Sequence, residues 1–188
     1  MILVFGGAFN PPTNAHLEII NGLIQKYKPN KFIVIPVGNH YNKRSLALYE
    51  DRVEMLKLIA KEVKMPIEIS NIEQYPPFLG TYEALQWIQL QNPTEEIYFV
   101  LGTDHLTTLN TWISAKELLR DFNFIIVRRK NYITDFATLK SENAKFEIFD
   151  FNSEITSTKF RLNMEKFKAD VLPEVYDYIK ARKLYGGD

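Results

Sequence analysis

Two short segments of this 188-residue sequence concentrate residue types that can bind an anion. The first runs Gly6-Gly7-Ala8-Phe9-Asn10-Pro11-Pro12-Thr13-Asn14-Ala15-His16 and leads into an amphipathic stretch. Paired glycines let a backbone approach a ligand with no Cβ in the way. Pro11 and Pro12 stiffen the turn and cannot continue a strand. Thr13 is placed to cap a helix that begins at Asn14, and a helix start offers phosphate free N–H groups and a partial positive charge. Thr13 and His16 share one side of the first turn, so a hydroxyl and an imidazole can address one anion. A plain turn with a capping threonine and a structural histidine would look the same in isolation. The segment has neither the lysine of a P-loop nor the three spaced glycines of a dinucleotide fingerprint.

The second segment is Ile155-Thr156-Ser157-Thr158-Lys159-Phe160-Arg161. Consecutive hydroxyl residues before a helical pattern mark a helix start. Ser157 and Thr158 can cap free N–H groups or donate to phosphate oxygens. Arg161 follows one turn later, and its planar fork suits a polyphosphate better than lysine would. Taken alone, this segment reads more simply as a capped helix with a surface arginine. Between the two lie Lys43 and Arg44, in the loop that begins at Val37, and Gly102-Thr103-Asp104. At the carboxyl end of a strand, Asp104 can accept from ribose hydroxyls or cap the next short helix. His40 is read as a loop residue.

Composition narrows the class. The chain is 46% apolar, carries zero formal net charge and has no cysteine. Disulfides, thiolate nucleophiles and zinc–cysteine sites are excluded. Nothing global points to a nucleic-acid polymer or a membrane as partner. No apolar run reaches membrane-span length, and Ile2–Phe5 is too short for a signal-peptide core. A soluble cytoplasmic protein is expected, with its oligomeric state left open.

These residues need a scaffold, and the pattern supplies one. Strands are expected at Ile2–Phe5, Lys31–Val37, Ile67–Asn71, Ile97–Leu101, Phe124–Arg128 and Phe146–Phe149. Helices are expected at Asn14–Tyr27, Tyr49–Glu62, Thr81–Gln91, Ser114–Arg120, Thr158–Phe167 and Pro173–Arg182. Near-continuous apolar strands alternating with helices predict an α/β, Rossmann-like, doubly wound parallel sheet in a single domain spanning 1–188. Right-handed crossovers then place ligands at the carboxyl ends of the strands, where the unusual residues lie.

With both segments in this order, the chain resembles the nucleotidyltransferase superfamily. Thr13-Asn14-Ala15-His16 is similar to its (His/Thr)-x-Gly-His signature, and Ile155–Arg161 to its Ile-Ser-Ser-Thr-x-Ile-Arg motif. Ala15 stands where glycine is usual, Thr156 where serine is and Phe160 where isoleucine is. Further segments resemble the bacterial nicotinate-mononucleotide adenylyltransferases: Gly80-Thr81-Tyr82, Asn110-Thr111-Trp112, Val127-Arg128-Arg129-Lys130 and the closing Leu172–Ile179 with Leu184-Tyr185. Gly80, where that family has Tyr, and Ile113, where an aromatic often follows the Trp, depart from its pattern.

The resemblance implies that His16, Thr13, Lys43 and Arg161 meet the charge that develops during transfer. It implies that Gly6, Gly7, Ala8, Phe9, Gly102, Asp104, Ile155, Thr156, Ser157 and Thr158 hold ATP. Thr81, Trp112, Ile113 and Arg129 would hold the acceptor, with the Trp112 ring stacked on a pyridine. Arg52 would match a family arginine or brace its loop. No covalent nucleophile is evident, so direct in-line displacement is expected, catalysed by positioning and charge. Mg²⁺ is expected on the ATP phosphates, with no dedicated protein ligands. The implied acceptor is nicotinate mononucleotide. Nicotinamide mononucleotide, phosphopantetheine and a catalytically silent nucleotide-binding regulator remain alternatives, the last because Ala15 adds a methyl near the expected nucleotide.

Overall fold

The computed structural model describes residues 1–39, 46–74, 80–129 and 135–186. Among them, strands β1 (Ile2–Gly7), β2 (Lys31–Pro36), β3 (Glu68–Ile69), β4 (Ile97–Gly102), β5 (Asn123–Arg129) and β6 (Phe146–Phe151) form one parallel sheet. Its order is β3-β2-β1-β4-β5-β6. The chain winds outward from β1 in one direction and then, from β4, in the other. The crevice of such a sheet opens outside the carboxyl ends of the two strands at the reversal. That puts the loop after β1 and the loop after β4 on its two sides.

Seven α-helices accompany the sheet among the described residues: α1 (Asn14–Tyr27), α2 (Tyr49–Ala60), α3 (Thr81–Gln91), α4 (Ala115–Asp121), α5 (Ala137–Ser141), α6 (Ser157–Leu162) and α7 (Pro173–Ala181). Alternate residues of each central strand serve opposite faces. Val4, Ile33, Phe99 and Ile126 pack with Leu85 and Ile88 of α3 and Leu118 of α4. Leu3, Phe5, Val34, Val100 and Ile125 pack with Ile20 and Leu23 of α1 and Leu56 of α2. Burial on both faces explains why these strands read as unbroken apolar runs. A third cluster joins Met55 and Ile59 of α2, Phe160 of α6 and Val175 and Ile179 of α7, so the C-terminal helices dock beside the first half of the sheet.

The expected elements form with shifted ends. β3 keeps only two residues of the expected five-residue strand. The expected helix from Thr158 to Phe167 stops at Leu162, because Asn163 starts a new turn. Its Oδ1 accepts from the Lys166 N–H at 2.9 Å, and its carbonyl accepts from the Phe167 N–H at 3.1 Å. α5 was not expected, since five residues carry too little periodicity to read. No helix among the described residues is long and apolar enough to cross a membrane.

Candidate active site

The loop after β1 is built around Phe9 and His16. Phe9 takes a left-handed backbone (φ 46°), rare for a bulky residue, and is 2% exposed. Its ring packs edge-on to Phe5 at 5.4 Å and lies 5.2 Å from the His16 ring. The Phe9 side chain is thus part of the packing that supports the loop. Thr13 is fully buried and caps α1. Its N–H donates to His16 Nδ1 at 3.0 Å, and its Oγ1 lies 2.8 Å from the same nitrogen. A backbone N–H can only donate, so Nδ1 is the acceptor and the neutral ring carries its proton on Nε2. Burial, and secondly the charge of Arg129, lowers the His16 pKa to about 4. The imidazole is therefore neutral at physiological pH, with one fixed donor. Ala15 is 1% exposed, so its methyl belongs to the packing and offers no surface to a nucleotide.

Arg52, at the start of α2, has no exposed surface. It donates to the carbonyls of Ala47 at 3.0 Å, Ala8 at 2.9 Å and Val37 at 2.5 Å. Those carbonyls lie just before α2, after β1 and after β2. Arg52 thus braces three loop segments at the crevice, and its burial leaves no exposed surface for a phosphate. Glu73 is 6% exposed nearby. Burial pushes its carboxyl up to about 7, against the opposing effects of the Gly38 N–H and the Arg52 charge.

The second motif docks on the first. Ser157 Oγ donates to the Pro11 carbonyl at 2.7 Å. Arg161 Nη1 donates to the Asn10 carbonyl at 2.5 Å, and its Nη2 lies 3.5 Å from Thr158 Oγ1. Thr156 caps α6 by accepting from the Lys159 N–H at 3.1 Å. Thr158 is exposed, whereas Ile155, Thr156, Ser157 and Arg161 are half-buried. The starts of α1 and α6 therefore stand side by side, though their motifs lie far apart in sequence.

On the other flank, Gly6 and Gly7 close β1, while Gly102 closes β4. A Cβ on Gly102 would lie 2.3 Å from Asp104 Oδ1, so that exposed carboxylate folds back over the strand end. Trp112 meets Phe99 edge-on at 6.3 Å and His105 at 5.8 Å. Thr81 opens α3 behind Gly80, whose φ of +104° suits glycine. A Cβ there would sit 2.9 Å from Ile113 Cβ. Gly80 and Ile113, the two departures from the resembled family on this side, are thus one packing unit. At the ends of β5 and β6, Arg128, Arg129, Asp150, Phe151 and Asn152 line a cleft of about 410 Å³. Arg128 is committed to Asp150 through two bonds, at 2.6 and 2.9 Å. Lys43, Arg44, His40 and Lys130 lie outside the described residues.

Sequence reasoning missed Asn10 and Glu73. Asn10 lies within the first motif, but a polar side chain gives no sequence signal of its 5% exposure.

Two phosphate-suited helix starts brought together at the switch point of a parallel sheet are an arrangement that suits a nucleotidyltransferase. The cytidylyltransferase-like family profile matches residues 4–163. A protein of Acholeplasma laidlawii (strain PG-8A), described as a probable nicotinate-nucleotide adenylyltransferase, is 37% identical over 186 residues, 98% of this chain and 97% of its own length. One of Staphylococcus epidermidis (strain ATCC 12228 / FDA PCI 1200), with the same description, is 30% identical over 98% of this chain and 97% of its own. The chain belongs to the cytidylyltransferase-like family and, within it, to the nicotinate-nucleotide adenylyltransferases. In fold it is similar to the solved Plasmodium falciparum nicotinic acid mononucleotide adenylyltransferase complexed with NaAD, with a TM-score of 0.86 at 22% identity, covering 100% of this chain and 98% of that one.

Proposed function

We propose that this chain transfers AMP from ATP to nicotinate mononucleotide, giving nicotinate adenine dinucleotide and pyrophosphate. The observation that carries the reading is the docking of Ser157 and Arg161 on the loop that leads to His16. That docking supports a reading in which hydroxyl, guanidinium and imidazole donors face one bound nucleotide at the strand ends.

The reaction needs little from a base. A phosphate monoester oxygen of the acceptor is already nucleophilic at neutral pH. It attacks the α-phosphorus of ATP, a new P–O bond forms, the bond to the β-phosphate oxygen breaks, and pyrophosphate leaves. Catalysis is then positioning plus charge stabilisation. His16 donates from Nε2 to a phosphate oxygen and need not gain or lose a proton. Thr13, buried and bonded to Nδ1, acts as a positioning residue that fixes that tautomer. Thr158 and the second arm of Arg161 hold the departing phosphates, and Lys43 is assigned to the phosphates in flight. Gly6, Gly7, Gly102 and Ile155 flank the nucleotide, and Asp104 accepts from its ribose.

No cluster of three potential ligands for a metal ion occurs among the described residues. The donor set at the crevice is cationic and hydroxylic, which fits an Mg²⁺ carried by ATP phosphates and water rather than by a protein cage. When bound there, the ion neutralises phosphate charge.

The acceptor pocket is assigned to Trp112, Thr81, Ile113 and Arg129. Trp112 stacks on the pyridine. Thr81 opens α3, so its N–H has no intrahelical partner and can meet the carboxylate. The reaction belongs in the cytoplasm. Incubation with ATP, Mg²⁺ and each acceptor, with pyrophosphate followed, tests the reading. Release with nicotinate mononucleotide, and dinucleotide formed in equal amount, is expected. ATP binding without release on any acceptor would mark a regulator instead, and faster release with phosphopantetheine would move the chain to another acceptor class.

A further inference from the structure

The last described turn of the chain reaches the first motif. Tyr185 follows α7 with φ 60°, a backbone that tyrosine rarely adopts. Its hydroxyl lies 2.8 Å from Asn10 Oδ1. The Ala47 N–H donates to the same Asn10 atom at 3.0 Å, which identifies that atom as the amide oxygen and makes the tyrosine the donor. Asn10 also accepts Arg161 through its backbone carbonyl. One residue of the loop after β1 thus joins three segments that are remote in sequence: the approach to α2, helix α6 and the C-terminal turn. Burial raises the Tyr185 pKa against the opposing pull of Arg161 and Arg52, so the phenol stays a donor.

We propose that Tyr185 is a positioning residue for nucleotide transfer: through Asn10 it holds the loop between Ala8 and Thr13, and with it the His16 donor, in register with Arg161. The proposal rests on the transfer reading given above. The turn has its own anchor, because α7 is tied to α2 where Tyr178 Oη and Arg182 Nε both donate to the buried Asp51 Oδ1, at 2.9 and 3.1 Å. Removal of the Tyr185 hydroxyl therefore leaves α7 docked and frees only the loop.

Tyr185→Phe separates these roles. In the ligand-free variant, hydrogen exchange across residues 8–13 should quicken while the melting temperature changes little. Turnover at saturating substrates should fall roughly threefold to tenfold, the scale of one hydrogen bond, with KM for the acceptor unchanged. Tyr178→Phe, which loosens α7 instead, should lower the melting temperature and leave turnover at the wild-type value. Adding Tyr185→Phe to Asn10→Ala should cost nothing further, because the Tyr185 hydroxyl acts through the Asn10 side chain. Unchanged exchange, wild-type turnover in Tyr185→Phe, or an equal turnover loss in Tyr178→Phe would overturn the proposal. If the wild-type protein releases no pyrophosphate, the transfer reading fails, and the exchange measurement still decides whether Tyr185 holds the loop.

Discussion

Thr13 N–H donates to His16 Nδ1 at 3.0 Å, and this single bond sets the chemical character of the site. It leaves Nε2 as the donor, and burial together with Arg129 keeps the ring neutral down to a pKa of about 4. The role proposed for the histidine is therefore that of an oriented dipole, not of a cation or a base.

The first prediction concerns turnover. His16→Ala should cost roughly 10²–10³-fold in kcat, the usual loss for one preorganised donor. Because the wild-type ring is already neutral, the profiles of His16→Asn and wild type should run parallel from pH 6 to 9. A wild-type limb near 6.5 that vanishes in the variant would assign the imidazole a titrating role.

Arg161 divides its fork between the Asn10 carbonyl and the neighbourhood of Thr158. Lysine keeps the charge but cannot serve both directions. Arg161→Lys should recover only part of the kcat lost in Arg161→Ala, and equal activity of Arg161→Lys and wild type would show that charge alone suffices.

Arg52 is the structural counterpart. Replacing it with leucine strands an Ala47, an Ala8 and a Val37 carbonyl in a buried setting. At about 1–3 kcal/mol for a buried unsatisfied group, a loss of about 3 kcal/mol or more is expected in denaturant unfolding. Unfolding within 1 kcal/mol of wild type would mean that water replaces the guanidinium freely.

Glu73 should leave a mark on stability against pH. Its folded pKa, near 7, lies above the unfolded value of 4.5. Between those values the unfolded chain has released its proton while the folded chain retains it, so the carboxyl's contribution is present below 4.5 and is lost as pH rises through 7. His16 has the opposite sign, since its folded pKa is depressed, and its contribution is lost as pH falls from 6.5 through 4. The two overlap, so the comparison is between variants. Relative to wild type, Glu73→Gln should gain stability from pH 4.5 to 7 in urea titrations. A pH-independent difference between the two proteins would place the folded carboxyl near its ordinary range.

In the proposed function, acceptor choice rests on Trp112 and the backbone donors beside it. An aromatic face stacks on a pyridine whether it carries a carboxylate or an amide, so discrimination falls to the N–H groups of Thr81 and Ile113. An amide would leave some of them unpaired, at roughly tenfold to a hundredfold per group. Nicotinate mononucleotide should exceed the nicotinamide form in kcat/KM, and phosphopantetheine should not react. Trp112→Ala should weaken use of both pyridine substrates with ATP affinity retained. Equal use of the two forms would show that the carboxylate pocket is misassigned.

Much of this molecule is legible in its sequence. Apolar runs at Phe32–Val37 and Ile97–Leu101, the helical period of Asn14–Tyr27 and the Thr13-to-His16 spacing are local patterns. Local backbone preference and the need to bury one face decide such elements, so α1 and α3 have the expected ends. Both motifs were visible for the same reason, as hydroxyl or glycine residues just ahead of helix starts. The partners of those motifs were not visible. The residue types of Ser157 and Arg161 suit a helix cap or a phosphate, yet each bonds a backbone carbonyl of the first motif, and every residue offers a carbonyl, so no pattern marks the recipient. The burial of Asn10 and Glu73, the contact that pairs Gly80 with Ile113, and the reach of Tyr185 across the molecule likewise depend on where remote segments meet. Side-chain chemistry and local period are written along the chain, whereas burial and long-range hydrogen bonds exist only once the sheet order has placed the loops together.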